Sequence, residues 1–308
     1  MDGDNNSMPQ DQAENVQTQM QGSRVRIGYV FLAVVPVAVI IAIQSLAQIP
    51  FLILATVDVL RDETSGTSDL EYLNQIMNVF NSRYATYMYL IYVVVAIAVF
   101  LFWYYKGFVN KKPKVKLKEI FGTRSVVASI GIALSLYFFI NAVLTLVSWI
   151  SPEIIDSYNE LMEEAGLMSN SVMTIFYAVI LGPIAEELCF RGVVFGILEK
   201  SGVRPVWIIG LSAIMFGVMH LIPVQVLYAT FIGLFFGFLR YRYRSVILTI
   251  VVHILFNLSG TYIGGLVDSL GLGDGAAMIF GGIAAIVLVF AVVMVNGDKK
   301  AYKQVRNS

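Results

Sequence analysis

Few residues of this chain can carry acid–base or ligand chemistry in an apolar setting, and they fall at regular spacings. Glu186, Glu187 and Arg191 come first, then Phe216 with His220, then His253 with Asn257. The chain has two histidines and one cysteine. Any reaction that needs imidazole therefore uses His220, His253 or both, and neither an intrachain disulfide nor a cysteine metal cluster is available. On a helix, Glu187 and Arg191 are i, i+4 and pair along one face. Glu186 leaves the same helix about 100° away and points elsewhere. Phe216/His220 and His253/Asn257 repeat the i, i+4 spacing. If these faces converge, they enclose a carboxylate, two imidazoles, an amide and a supporting ion pair. A water held by Glu186 and His220 can then be deprotonated and attack a carbonyl. His253 and Asn257 can donate hydrogen bonds to the oxyanion that develops. Cys189, beside the glutamates, reads as a small apolar filler.

The elements that must position these groups are set by composition. Of 308 residues, 57% are hydrophobic and 14% charged, against roughly 25% charged in ordinary soluble domains. Such a chain needs lipid to cover its apolar surface. This excludes a cytosolic enzyme, a disordered protein and a disulfide-built secreted domain. A net charge of +0 says nothing by itself about nucleic acid; no nucleic-acid partner is expected. Residues 1–23, rich in Asp, Asn, Gln and Ser, read as a disordered cytoplasmic tail. Apolar runs follow at 27–57, 84–105, 125–150, 171–198, 205–222, 225–239, 246–266 and 276–296, with the run at 225–239 the shortest. They are continuous instead of alternating, which excludes barrel strands. The expected fold is an all-α, polytopic bundle of about eight transmembrane helices, with a polar link over 61–83.

Charge placement orients it. Lys106, Lys111, Lys112, Lys114, Lys116, Lys118 and Arg124 mark the 106–124 loop as cytoplasmic. Glu153, Asp156, Glu160, Glu163 and Glu164 mark the next loop as external. Lys200, Arg204, Arg240, Arg242 and Arg244 return inside, Asp268 and Asp274 fall outside, and 297–308 is a basic cytoplasmic tail. Both termini are thus expected in the cytoplasm, in a protein of the cell membrane. Three helices over 24–150 precede a core at 171–266, and one helix at 276–296 closes the bundle. The small-residue pairs Gly192/Gly196, Gly233/Gly237 and Gly260/Gly264 predict the closest packing after residue 171, with looser support from the first three spans.

A charge at a helix centre costs about 2.5–3.5 kcal/mol on insertion scales. The expensive groups are nonetheless gathered into the fourth, fifth and seventh spans. In order they read Glu186-Glu187-Leu188-Cys189-Phe190-Arg191, then Phe216-Gly217-Val218-Met219-His220, then His253-Ile254-Leu255-Phe256-Asn257. This resembles the EExxxR, FxxxH and HxxxN motif set of the CPBP family, which holds the type II CAAX prenyl endopeptidases and the bacterial Abi and lysostaphin-resistance-like membrane proteins. Gly233-xxx-Gly237 followed by Arg240 is similar to a further pattern of that family. The resemblance covers roughly 171–266. It implies an intramembrane endopeptidase acting on a peptide or membrane-anchored protein. Glu186 and His220 would activate the water, His253 and Asn257 would bind the oxyanion, and Glu187 and Arg191 would support the site. Glu186, His220 and His253 are also three conceivable zinc ligands with an open fourth position. The metal-free reading is preferred, because no carboxylate beyond the pair offers to orient both histidines. A non-catalytic scaffold or immunity protein of the same family is the main alternative, and a proton-coupled transporter a lesser one.

Overall fold

The computed structural model describes residues 25–61, 68–109, 120–164 and 171–298. The expected N-terminal tail, the lysines at 111–118 and the basic residues from 299 onward lie outside them. Every element within the described residues is helical. Seven helices are long and apolar enough to cross a membrane: α1 (Ile27–Arg61), α2 (Asp69–Val109), α3 (Thr123–Ile150), α5 (Val172–Ser201), α7 (Pro223–Tyr243), α8 (Val246–Val267) and α9 (Asp274–Asn296). Between them lie the acidic α4 (Pro152–Glu164) and the shorter apolar α6 (Pro205–Val218). The protein is an integral membrane helix bundle.

Local chemistry sets the ends. Ser68, Ser171 and Ser245 cap α2, α5 and α8, their side chains accepting from the N–H groups of Glu71, Thr174 and Leu248. Pro205 and Pro223 open α6 and α7, where a missing N–H costs nothing. Gly202 (φ 77°) ends α5 and Arg244 (φ 52°) ends α7, both left-handed. Pro50 lies inside α1 without stopping it, as membrane helices tolerate.

Two boundaries differ from the sequence expectation. The polar stretch after residue 68 is not a link but the first turns of α2, which runs 41 residues. The short element is α6, not the run at 225–239. At 14 residues α6 is about 21 Å long, and α7 extends to 21 residues. Pro223 explains the shift. It holds Ile222 extended (ψ 120°), Leu221 turns through a positive φ of 63°, and α6 stops before His220.

Contacts fix how the helices run. A Cβ at Gly217 would lie 1.9 Å from Thr230 Oγ1, one at Gly233 3.0 Å from Ala213 Cα, and one at Gly237 3.2 Å from Ile209 Cγ2. α6 and α7 are therefore an antiparallel hairpin in close contact. Gly192 and Gly196 lie against Tyr104 and Phe108 of α2, so α2 abuts α5 closely and is not a loose support. Gly281 of α9 sits equally tightly on Ala142 of α3. Gly260 meets nothing within 4 Å, and the third glycine pair is not a seam of this kind.

Polar contacts group the helix ends. At one end Arg26 bonds the Lys200 carbonyl, Arg244 pairs with Glu199, Arg124 donates to Met294 O, and Arg242 to Val295 O and Asn296 O. At the other, Asp58 pairs with Arg83, Trp149 donates to Asp274, and Tyr158 of α4 meets Tyr228 of α7. Buried apolar side chains form two clusters, one centred on α1, α2 and α5 and one on α3, α7, α8 and α9. The polar groups singled out above lie at the seam between them.

Candidate active site

α5 presents its two carboxylates between two wide, π-helical turns, Ile175–Leu181 and Leu188–Val194. Such turns recur at functional sites. The first precedes Pro183, which has no N–H to return to the helix ladder. The second carries Arg191. The ion pair expected from the i, i+4 spacing is present: Arg191 Nη1 donates to Glu187 Oε1 at 3.0 Å, with both side chains 0% exposed. Arg191 also donates from Nη2 to Gly233 O at 3.2 Å. Its guanidinium lies between the rings of Phe216 (4.3 Å) and Phe236 (5.4 Å), where cation–π attraction offsets part of its lost hydration.

α8 brings His253 onto this pair. Its Nδ1 donates to Glu187 Oε1 at 3.2 Å, and its Nε2 faces Glu186 Oε2 at 3.7 Å. The Glu186 side chain is 20% exposed, while the imidazole is 6% exposed. The two glutamates thus diverge as their positions on the helix require: Glu187 turns into the protein and Glu186 towards open space. With Nδ1–H committed to Glu187, the neutral imidazole aims a lone pair at the Glu186 carboxylate. Two acceptors face each other across 3.7 Å, an arrangement able to share one proton.

His220 lies in the turn after α6, half-buried. Its Nδ1 donates to Phe216 O at 2.9 Å, which leaves Nε2 as the acceptor in the neutral ring. Phe216 meets the His220 ring at 5.0 Å and the His253 ring at 5.7 Å, edge-on in both cases. One phenylalanine therefore gathers both imidazoles and the guanidinium. Asn257, one turn after His253, donates to Ala178 O in the first wide turn at 3.3 Å.

Glu186, Glu187, Arg191 and His253 are joined directly, His220 adjoins them through Phe216, and Asn257 is tied to the same helix α5. Sequence reasoning coupled Glu186 with His220; the structure sets His253 beside Glu186. Glu186, His220 and His253 do not close into a group able to hold a metal, and no such group occurs among the described residues. Three participants were not singled out from their chemistry: Phe236, the Gly233 carbonyl, and Ser212 of α6, whose hydroxyl donates to Phe190 O in the second wide turn. A hydroxyl inside an apolar helix was the only signal for Ser212, and main-chain oxygens carry none.

The segment holding these groups matches a family model. Residues 168–259 match the Rce1-like family, described as type II CAAX prenyl endopeptidase Rce1-like. The match takes in under a third of the chain, and it is a likeness of the segment that carries the three motifs. A curated relative, "Putative membrane peptidase YdiL" of Bacillus subtilis (strain 168), is 34% identical over 86 residues. That match spans 28% of this chain and 34% of the relative, so the chain covers about a third of the length of the curated relative it matches. No solved structure matches the chain. Within this segment the chain is similar to membrane peptidases of the CAAX type.

Proposed function

We propose that this protein is an intramembrane endopeptidase that hydrolyses a peptide bond in a membrane-associated peptide or protein. The carrying observation is the run Glu186, His253, Glu187, Arg191, linked side chain to side chain at the seam of the bundle. A helix-packing ion pair needs only Glu187 and Arg191. The part-exposed second carboxylate facing a buried imidazole is surplus to packing and costly in lipid. The family supports the same reading, as does the printed name of the relative.

In this proposal Glu186 takes the proton of the attacking water. His253 beside it shares that proton through Nε2, which so becomes an N–H donor, and His220 offers its free Nε2 to the same water. The Asn257 amide has two N–H bonds, so donation to Ala178 O leaves one for the substrate oxyanion, alongside His253. Glu187 and Arg191 hold His253 in its tautomer. The scheme uses no metal. Turnover is expected to survive strong chelators, and the purified protein to lack stoichiometric zinc. Near-equimolar zinc, lost together with activity and restored on adding it back, would reverse this part.

The test of the base is Glu186→Gln, which keeps shape and hydrogen bonding but cannot take the proton. Cleavage should fall on the order of 10²–10⁴-fold with expression and melting temperature near those of the wild type. A variant that retains more than about a tenth of the rate, against that general-base range, contradicts the assignment. Full activity in the same variant would favour the scaffold reading.

A further inference from the structure

The wide turns of α5 have a feature that the catalytic reading does not use. Their carbonyls are bonded by side chains from other helices. Ala178 O accepts from Asn257 of α8. Phe190 O accepts from Ser212 Oγ of α6 at 3.3 Å. Arg191 O accepts from Arg240 Nε of α7 at 2.9 Å. Ser212 and Arg240 are both buried. A turn that leaves the i→i+4 ladder is disfavoured unless something holds it, and a carbonyl has a second lone pair for an outside donor. The donor on Arg191 is itself fixed: the Arg240 guanidinium packs on the Phe195 ring at 5.2 Å and lies 4.0 Å from Glu199.

We propose that Arg240 and Ser212 are positioning residues that clamp the Leu188–Val194 turn and so set the geometry of the reacting groups. This rests on the endopeptidase reading for its consequence in turnover, but not for its consequence in structure. The chain of contacts is explicit. Arg240 fixes the backbone at Arg191; the Arg191 guanidinium fixes Glu187; Glu187 fixes the His253 ring; and His253 faces Glu186. Release of the clamp lets the turn relax towards an ordinary helix. That rotates Arg191 relative to Glu186 and carries His253 with it. Arg240 touches none of the reacting groups and acts through the turn alone.

The full-length protein is tested in detergent micelles with isotope-labelled histidine. Two histidines in the chain give two sets of imidazole nitrogen signals, assigned with His220→Gln. Three variants are compared. Arg240→Met removes the donor, and Arg240→Lys keeps a buried cation able to reach the carbonyl. Arg242→Met removes a buried arginine of the same helix that bonds α9 instead of α5. The clamp predicts that Arg240→Met displaces the His253 signals and leaves those of His220 in place. Arg240→Lys should restore the His253 signals, and Arg242→Met should leave them unmoved. If a substrate is cleaved, Arg240→Met should lower kcat on the order of 10²-fold, the cost of misplacing reacting groups by about an ångström, with KM little changed. Unmoved His253 signals in Arg240→Met, or an equal displacement in Arg242→Met, overturn the clamp whether or not any substrate is cleaved. Absence of cleavage by the wild type bears on the endopeptidase reading alone.

Discussion

Two adjacent glutamates divide the work by direction. One position along a helix rotates a side chain by about 100°, and the outcome is a fully buried Glu187 and a part-exposed Glu186. The variants should therefore fail differently. Glu187→Gln strips the partner from an Arg191 that is 0% exposed, and breaking a buried pair costs about 3–5 kcal/mol. Its melting temperature and yield should drop, with activity falling partly for that reason. Paired measurements of melting temperature and cleavage rate on both glutamine variants separate the two roles. Equal loss of stability in both would contradict the division. Much of this was legible in the sequence, because an i, i+4 Glu–Arg pair leaves the other carboxylate out of phase. The partner of Glu186 was not. Along the chain, His220 and His253 are equivalent imidazoles on separate helices, and only the packing of α8 on α5 distinguishes them.

At the scale of elements, the apolar runs located the helices but not their ends. Hydropathy could not separate the 14-residue α6 from a full span. That length is set by Pro223 and the backbone turn at Leu221, and the turn leaves His220 beyond the helix. The glycine pairs show a similar limit. Gly233/Gly237 and Gly260/Gly264 have the same spacing, yet only the first meets a neighbouring backbone within 3.0 Å, since close approach depends on what lies opposite. Gly217, unpaired in sequence, is the tightest seat of the α6–α7 hairpin. Gly217→Ala places a Cβ 2.7 Å from Val226 O and 2.9 Å from Thr230 N, main-chain atoms that cannot step aside. Overpacking of this kind costs about 1–3 kcal/mol. Gly260→Ala meets nothing within 4 Å and should be neutral or stabilising by up to about 1 kcal/mol. Thermal unfolding in detergent checks both, and equal behaviour of the two would contradict the packing.

Across the whole molecule, arginines just before α1, in α3 and α7, and in the α7–α8 turn collect at one end of the bundle with the C-terminal ends of α5 and α9. The acidic α4 lies at the other end, against α7 through Tyr158 and Tyr228. Basic ends remain in the cytoplasm, so reporters placed after Ser308 and within 106–124 should both read cytoplasmic. A signal from the opposite side at either site would contradict this orientation. α6 returns with α7 as a hairpin, so its short length does not alter that parity. The central claim, that this bundle hydrolyses peptide bonds with Glu186 as base, is met most directly by mass spectrometry in water enriched in oxygen-18. Reconstituted wild-type protein and Glu186→Ala are incubated with a library of membrane peptides. The account predicts new peptide carboxylates carrying solvent oxygen with the wild type and none above background with Glu186→Ala. Identical product profiles from the two proteins would contradict it.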